Sequence, residues 1–341
     1  MYNSAPIPAH PDHFRSGFVG LIGRPNVGKS TLMNALVGQK VAITSPVAQT
    51  TRNRLRGILS TDQAQFIFVD TPGIHKPHHQ LGQVLVSNAQ GAIEAVDVVL
   101  LVVDGSVALG RGDQFIADVI AGVLKKRGNS QETGDGAREP GANLGSNSGP
   151  NLGPKAVLLG LNKIDRQTED PQERAQIIAT YETLSQTYGW PIVEFSALTG
   201  TGTDRLLDTL TQHLDPGPYW YPPDLVTDQP ERFIMGELIR EQILLLTREE
   251  VPHSVAVTID RVEESPKVTR VLATVYVERD SQKGIVIGKR GQMLKQIGSA
   301  ARLQMQKLID GKVHLELFVK VQAKWRHSRS RLEELGYRVE N

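Results

Sequence analysis

The sequence predicts a doubly wound α/β domain followed by a smaller α+β domain. Three observations carry that expectation. Gly23–Ser30 reads G-R-P-N-V-G-K-S and fills every fixed position of the phosphate-loop pattern G-x-x-x-x-G-K-[ST]. Short apolar runs, several ending in polar or small residues, recur down to about residue 198. Beyond a proline-rich break the pattern becomes helix, two strands, two helices and a strand. A chain of 341 residues ordinarily forms two domains.

Residues 1–16 are polar and proline-bearing, with no apolar signal core, and read as a disordered extension. Gly17–Ile22 suits a buried strand, and Ser30–Val37 places apolar residues at helical spacing. Strand, glycine loop and helix form the context the motif requires. Gly23 and Gly28 permit close backbone approach. The loop backbone through Arg24, Pro25, Asn26 and Val27 then faces phosphate oxygens, and the helix start at Ser30 and Thr31 adds its dipole. Lys29 reaches the β- and γ-phosphates, and the Ser30 hydroxyl ligates Mg2+.

Phe66–Asp70 reads as a second strand, with Asp70 placed for direct or water-mediated contact to Mg2+. Thr71 and Pro72 continue the loop to Gly73, whose amide is placed to bond the γ-phosphate and sense its loss. Val98–Asp104 is a third run, too short to span a membrane and suited to a central strand. Residues 128–154 are nearly empty of large apolar side chains and read as a disordered surface insertion.

A fourth run, Val157–Leu161, leads into Asn162-Lys163-Ile164-Asp165. A carboxylate at Asp165 accepts both the N1 and N2 hydrogens of guanine, whereas adenine offers neither donor in that arrangement. Asn162 braces the loop, and Lys163 packs its stem across the base. A last strand ends at Ser196 and Ala197, with the Ala197 amide placed near the guanine oxygen. GTP and GDP are therefore the expected ligands, in a GTPase domain over residues 17–214.

Residues 215–230 carry five prolines and form a semi-rigid linker. Tyr219, Trp220 and Tyr221 are expected to pack between domains, not on a nucleobase. Residues 231–341 form the second domain. Gly288 and Gly291, in G-x-x-G spacing between two helices, let the backbone pass close to a sugar-phosphate chain, with Lys289 and Arg290 adding charge. Ile285, Val286, Ile287, Leu294 and Ile297 form an apolar wall, part core and part surface for splayed bases, and Lys295 lies beside it. Lys324 and Arg326 in the tail suit phosphate contacts that weaken with salt. The net charge is only +1, yet residues 267–331 hold fifteen Lys or Arg against four Asp or Glu. Charge segregated in this way aims one domain at a polyanion.

There are no cysteines, which excludes disulfides and thiolate metal sites. His75, His78 and His79 lack a carboxylate at ligand spacing and read as part of a mobile switch loop.

Taken in order, these motifs resemble the Ras-like GTPase fold and, more specifically, the Era subfamily. The resemblance rests on Gly23–Ser30, on Gln49-Thr50-Thr51-Arg52, on D-T-P-G-I-H-K-P from Asp70 to Pro77, and on the G-x-x-G segment, which resembles a type II KH domain. It implies that Gln49–Asn53 belongs to the first switch, with Thr51, or alternatively Thr50, ligating Mg2+. The implied catalytic set is Lys29, Asn26, Thr51 and Gly73. Many relatives place a water-orienting glutamine where this chain has Ile74, so slow intrinsic hydrolysis is expected. Asn26 suggests K+ as an activating ion. The resemblance also implies a monomer that binds the 3′ end of 16S rRNA and assists 30S ribosomal subunit maturation. It would be cytoplasmic, with peripheral association at the inner membrane face. The alternative is an RNA-binding assembly factor in which nucleotide occupancy matters and turnover is incidental.

Overall fold

The computed structural model describes residues 11, 13–45, 55–71, 73, 91–131, 156–309 and 311–335. The chain divides into two compact units, Met1–Lys40 with Arg54–Thr227, and Val41–Asn53 with Asp228–Asn341.

In the first unit β1 (Arg15–Ile22), β2 (Leu55–Ser60), β3 (Ala64–Asp70), β4 (Val98–Asp104), β5 (Ala156–Asn162) and β6 (Ile192–Glu194) form one sheet in the order β2-β3-β1-β4-β5-β6. Only β2 runs antiparallel. Its helices include α1 (Lys29–Val37), α2 (Arg111–Gln131), α3 (Pro171–Tyr188) and α4 (Thr203–His213). β4 and β5 are apolar along nearly their whole length because both faces are covered, and residues such as Val99, Leu101, Leu159 and Ile120 form the core. The strand order reverses beside β1, whose neighbours are β3 and β4. Such a reversal leaves a crevice at the carboxyl ends of the strands, where ligands bind in folds of this class.

The expected extension over residues 1–16 needs correction at its end. β1 begins at Arg15, which pairs with Ala64. Phe14 is 1% exposed and packs against Tyr219 at 4.3 Å, so a buried ring fixes the chain three residues before the apolar run. α2 likewise runs to Gln131, four residues into the stretch expected to be disordered; residues 132–155 lie outside the described residues. β2 was not expected: Gly57 interrupts its apolar pattern, and the strand is held by its register with β3.

The linker rings also differ from expectation. Trp220 sits edge-on to Phe18 at 5.6 Å, and Gln65 Oε1 accepts the Trp220 and Tyr221 amides at 2.7 and 3.0 Å. These partners belong to the first unit, which extends to Thr227.

The second unit holds α5 (Glu231–Leu246), α6 (Val251–Ser254), β7 (Ala256–Glu263), β8 (Val268–Val277), α7 (Asp280–Ile287), α8 (Gln292–Met305), β9 (Lys312–Val321) and α9 (Arg329–Glu334). Its sheet runs β7-β8-β9, antiparallel then parallel. Ile239, Val275, Val286 and Ile297 lie in its core. The short segment after Lys40 belongs to this unit: Val41, Ala42 and Ile43 are buried, and the Thr44 amide donates to the buried Glu241 carboxylate at 2.8 Å. Thr50, Thr51 and the rest of Gln49–Asn53, with Pro72, Ile74, His75, His78 and His79, lie outside the described residues. Among the described residues no helix is long and apolar enough to cross a membrane, and no group of three or more His, Asp or Glu could hold a metal ion.

Candidate nucleotide site and nucleic-acid interface

The phosphate loop leaves β1 and enters α1 through Gly28, at φ 100°. A Cβ on Gly28 would lie 2.3 Å from Asn162 Nδ2, so both the backbone angle and the neighbour require glycine. Asn162 closes that contact by donating to the Val27 carbonyl at 2.8 Å. The loop after β5 is thereby fastened to the phosphate loop after β1. Gly73 abuts the same loop, since a side chain there would meet Pro25 N at 2.6 Å. Asn26 is exposed and holds a left-handed φ of 65°.

Lys29 is 6% exposed, and its Nζ donates to the Gly23 and Arg24 carbonyls at 3.0 and 2.9 Å. Burial pushes its pKa down to about 8, against an opposing pull from Asp70. The free protein therefore loses this proton as pH rises through about 8, whereas a bound polyphosphate favours the ammonium. Nucleotide binding above that pH takes up a proton, so affinity should fall by up to about tenfold per pH unit there. Calorimetric titration of GTP at pH 7 and pH 8.5, in two buffers of different ionisation heat, checks this. Net proton uptake should appear at pH 8.5 and be lost in Lys29→Arg, whose guanidinium stays charged.

Ser30 Oγ donates to Asp70 Oδ2 at 2.5 Å, and Asp70 is fully buried. Two hard oxygen groups at this spacing, one a carboxylate, fit Mg2+. Thr71, by contrast, is buried with its hydroxyl donating to the Leu21 carbonyl at 3.0 Å, so its side chain belongs to the sheet rather than to a ligand. The Arg24 side chain also turns away from the loop, donating to Asp113 at 2.7 Å. This leaves Arg24 only its backbone for the phosphates.

At the other end of the crevice, Asp165 is exposed and its carboxylate is oriented by Ser196 Oγ at 2.5 Å. Ser196 is itself fully buried. Asn162 Oδ1 accepts the Ala197 amide at 2.9 Å and the Lys163 amide at 2.8 Å. Ala197 was expected to offer its amide to guanine; its proton is instead spent on bracing Asn162. Lys163, at φ 67°, donates to Asp104 at 2.6 Å. Burial alone would raise the Asp104 pKa, but bonds from Lys163 and Ser106 outweigh it and hold the carboxyl below its usual value. Asp104, Ser106, Gln167 and Tyr181 were not anticipated as supports. Gln167 donates to the Gly105 carbonyl at 3.1 Å, and the buried Tyr181 hydroxyl donates to the Asp104 backbone carbonyl at 2.9 Å. Asp104 had a legible signal, because it ends a strand on the same sheet edge as Asp70.

In the second unit Gly288 (φ 71°) and Gly291 (φ 76°) bracket the exposed Lys289 and Arg290. A Cβ on Gly288 would meet Met293 Cβ at 2.6 Å, so α7 and α8 approach too closely for any other residue. The apolar wall divides: Val286 and Ile297 are core, Ile287 and Leu294 are half-buried, and Ile285 is 51% exposed. Lys295 and Lys324 are exposed. Arg326 departs from the expected phosphate role, because Glu278 binds it at 2.5 Å and it also donates to the His253 carbonyl. Trp325 beside it is 2% exposed and anchors the tail through the Ser254 carbonyl at 3.1 Å.

The sequence matches two described families: 50S ribosome-binding GTPase over residues 18–129, and KH domain over residues 250–326. The chain is 65% identical over 334 residues to GTPase Era of Nostoc sp., covering 98% of this chain and 93% of that protein. It is 60% identical to GTPase Era of Rippkaea orientalis, covering 98% and 96%. Among solved structures it resembles Era in complex with MgGDPNP and a 16S ribosomal RNA fragment, with a TM-score of 0.79 at 34% identity, over 95% of this chain and 99% of that one. It equally resembles a variant of Aquifex aeolicus Era bound to GDP and AlF4−, with a TM-score of 0.80 at 34% identity and the same coverage. The chain belongs to the Era family of GTPases.

Proposed function

We propose that the chain is a GTP-hydrolysing switch that binds the 3′ end of 16S rRNA through its C-terminal unit and assists maturation of the 30S subunit. The observation that carries the nucleotide half is the Asn162–Val27 bond, which places the guanine-reading loop beside the phosphate loop. The RNA half is supported by the exposed Lys289–Arg290 joint and by the Era structure that contains a 16S rRNA fragment. Cytoplasmic placement, peripheral contact with the inner membrane face and a monomeric state belong to the same reading.

The residues act as follows. The loop from Gly23 to Ser30 cradles the phosphates, and Lys29 places its ammonium between the β- and γ-oxygens. Asp165, oriented by Ser196, accepts from guanine while Asn162 holds both loops. Mg2+, when bound, neutralises charge on the β- and γ-phosphates; Ser30, Asp70 and Thr51 would hold it. Gly73 lies against Pro25, where its amide can follow the γ-phosphate. With Ile74 unable to orient water, the missing stabilisation falls to K+ near Asn26 or to the bound RNA. A relative bound to GDP and AlF4− does not favour the reading in which turnover is incidental.

Steady-state GTP turnover in K+ and in Na+, with and without a 16S rRNA 3′-end fragment, tests this. Turnover should rise in K+ or with RNA, or with both. No response to either, or no turnover at all, would return the alternative of a nucleotide-occupied assembly factor.

A further inference from the structure

Among the described residues, side chains from two other elements hold the phosphate loop. One is Asn162 on the Val27 carbonyl. The other is Asp113, in the first turn of α2, which accepts from Arg24 Nε at 2.7 Å. The pattern G-x-x-x-x-G-K-[ST] does not specify an arginine at the first variable position. Asp113 is fully buried, and its second oxygen accepts the Gly110 amide at 3.2 Å. The loop before α2 is fixed in turn: the Leu109 amide donates to Thr180 at 3.1 Å, and Tyr181 donates toward the Val107 carbonyl at 3.0 Å. Gly112 lets the Arg24 stem lie on the helix, since a Cβ there would meet Arg24 Cδ at 2.6 Å.

Arg24 also contributes through its backbone. Its carbonyl is one of the two that seat Lys29 Nζ. The side chain is thus tied to a buried carboxylate while the carbonyl of the same residue holds the phosphate-gripping lysine. We propose that Asp113 is a positioning residue for nucleotide binding, acting through Arg24 to fix the carbonyls that aim Lys29 at the β- and γ-phosphates. The proposal rests on the reading that Lys29 meets those phosphates. It also assigns the Arg24 guanidinium to α2, away from any role as a finger on the transferring phosphoryl group.

The test uses the full chain with GDP, GTP and GMP, measured by equilibrium competition against a labelled GDP. Arg24→Ala and Asp113→Asn should each weaken GDP and GTP by about tenfold, and the double variant by no more than the weaker single, because one linkage is lost once. Competition by GMP, which carries no β-phosphate for Lys29, should match the wild type. The milder Arg24→Lys keeps the charge and loses the forked geometry, so it should fall between. Unchanged GDP and GTP affinities, additive losses, or GMP weakened as much as GDP would overturn the proposal. So would a lower kcat with unchanged affinity in Arg24→Ala, which would place the guanidinium on the reacting phosphate. Failure of the wild type itself to prefer GDP over GMP would instead overturn the Lys29 reading.

Discussion

Asp165→Asn is expected to lower GTP affinity by about 10³ and leave ATP binding nearly unchanged, shrinking a preference of about 10⁴ to about tenfold. In the proposed site the carboxylate would accept two guanine hydrogens; an amide in its place turns one acceptor into a donor that would face the guanine N–H groups. The substitution isolates this effect because Asp165 is exposed, and the remaining amide oxygen can still accept from Ser196 Oγ. Little stability is at stake, so lost binding cannot be charged to unfolding. Competition of GTP and ATP against labelled GDP reads the outcome directly. A variant that still prefers GTP by thousands would show that base reading lies elsewhere in the crevice.

The second large effect lies in the other unit. Lys289→Asp combined with Arg290→Asp should weaken binding of a single-stranded 16S 3′-end fragment by about 100-fold at moderate salt, and should reduce the salt slope by roughly 1.4. Both side chains are exposed at the G-x-x-G joint, and neither appears in a hydrogen bond or ion pair among the described residues. Arg290 sits at φ 54°, a region that aspartate tolerates better than most residues, so the fold should survive. Fluorescence anisotropy over a salt series measures both quantities. Unchanged affinity would move the RNA site off the joint.

How much of this was legible in the sequence depends on distance along the chain. The phosphate loop, Asp70 and the 162–165 motif were readable because each carries its chemistry in a few adjacent residues at a strand end. The order of elements in the second unit was readable for the same reason: its periodicities are local. What pairs across long separations was not. Asp113 lies 89 residues from Arg24, and neither residue alone signals the other. The Ala197 amide was assigned to guanine because the sequence cannot show that Asn162, 35 residues earlier, takes its proton. Arg326 counted as free charge until Glu278, 48 residues away, was seen beside it. β2 was missed because an edge strand with a central glycine owes its shape to its partner β3 rather than to its own pattern.

The proposed switch requires that nucleotide state govern RNA binding within one chain. Its most direct measurement is the same anisotropy titration run on the wild-type chain, once with a non-hydrolysable GTP analogue and once with GDP, at equal Mg2+ and salt. The RNA should bind more tightly in the GTP-analogue state, by about tenfold, the size of a typical coupling between two sites. Equal affinity in the two states would contradict it.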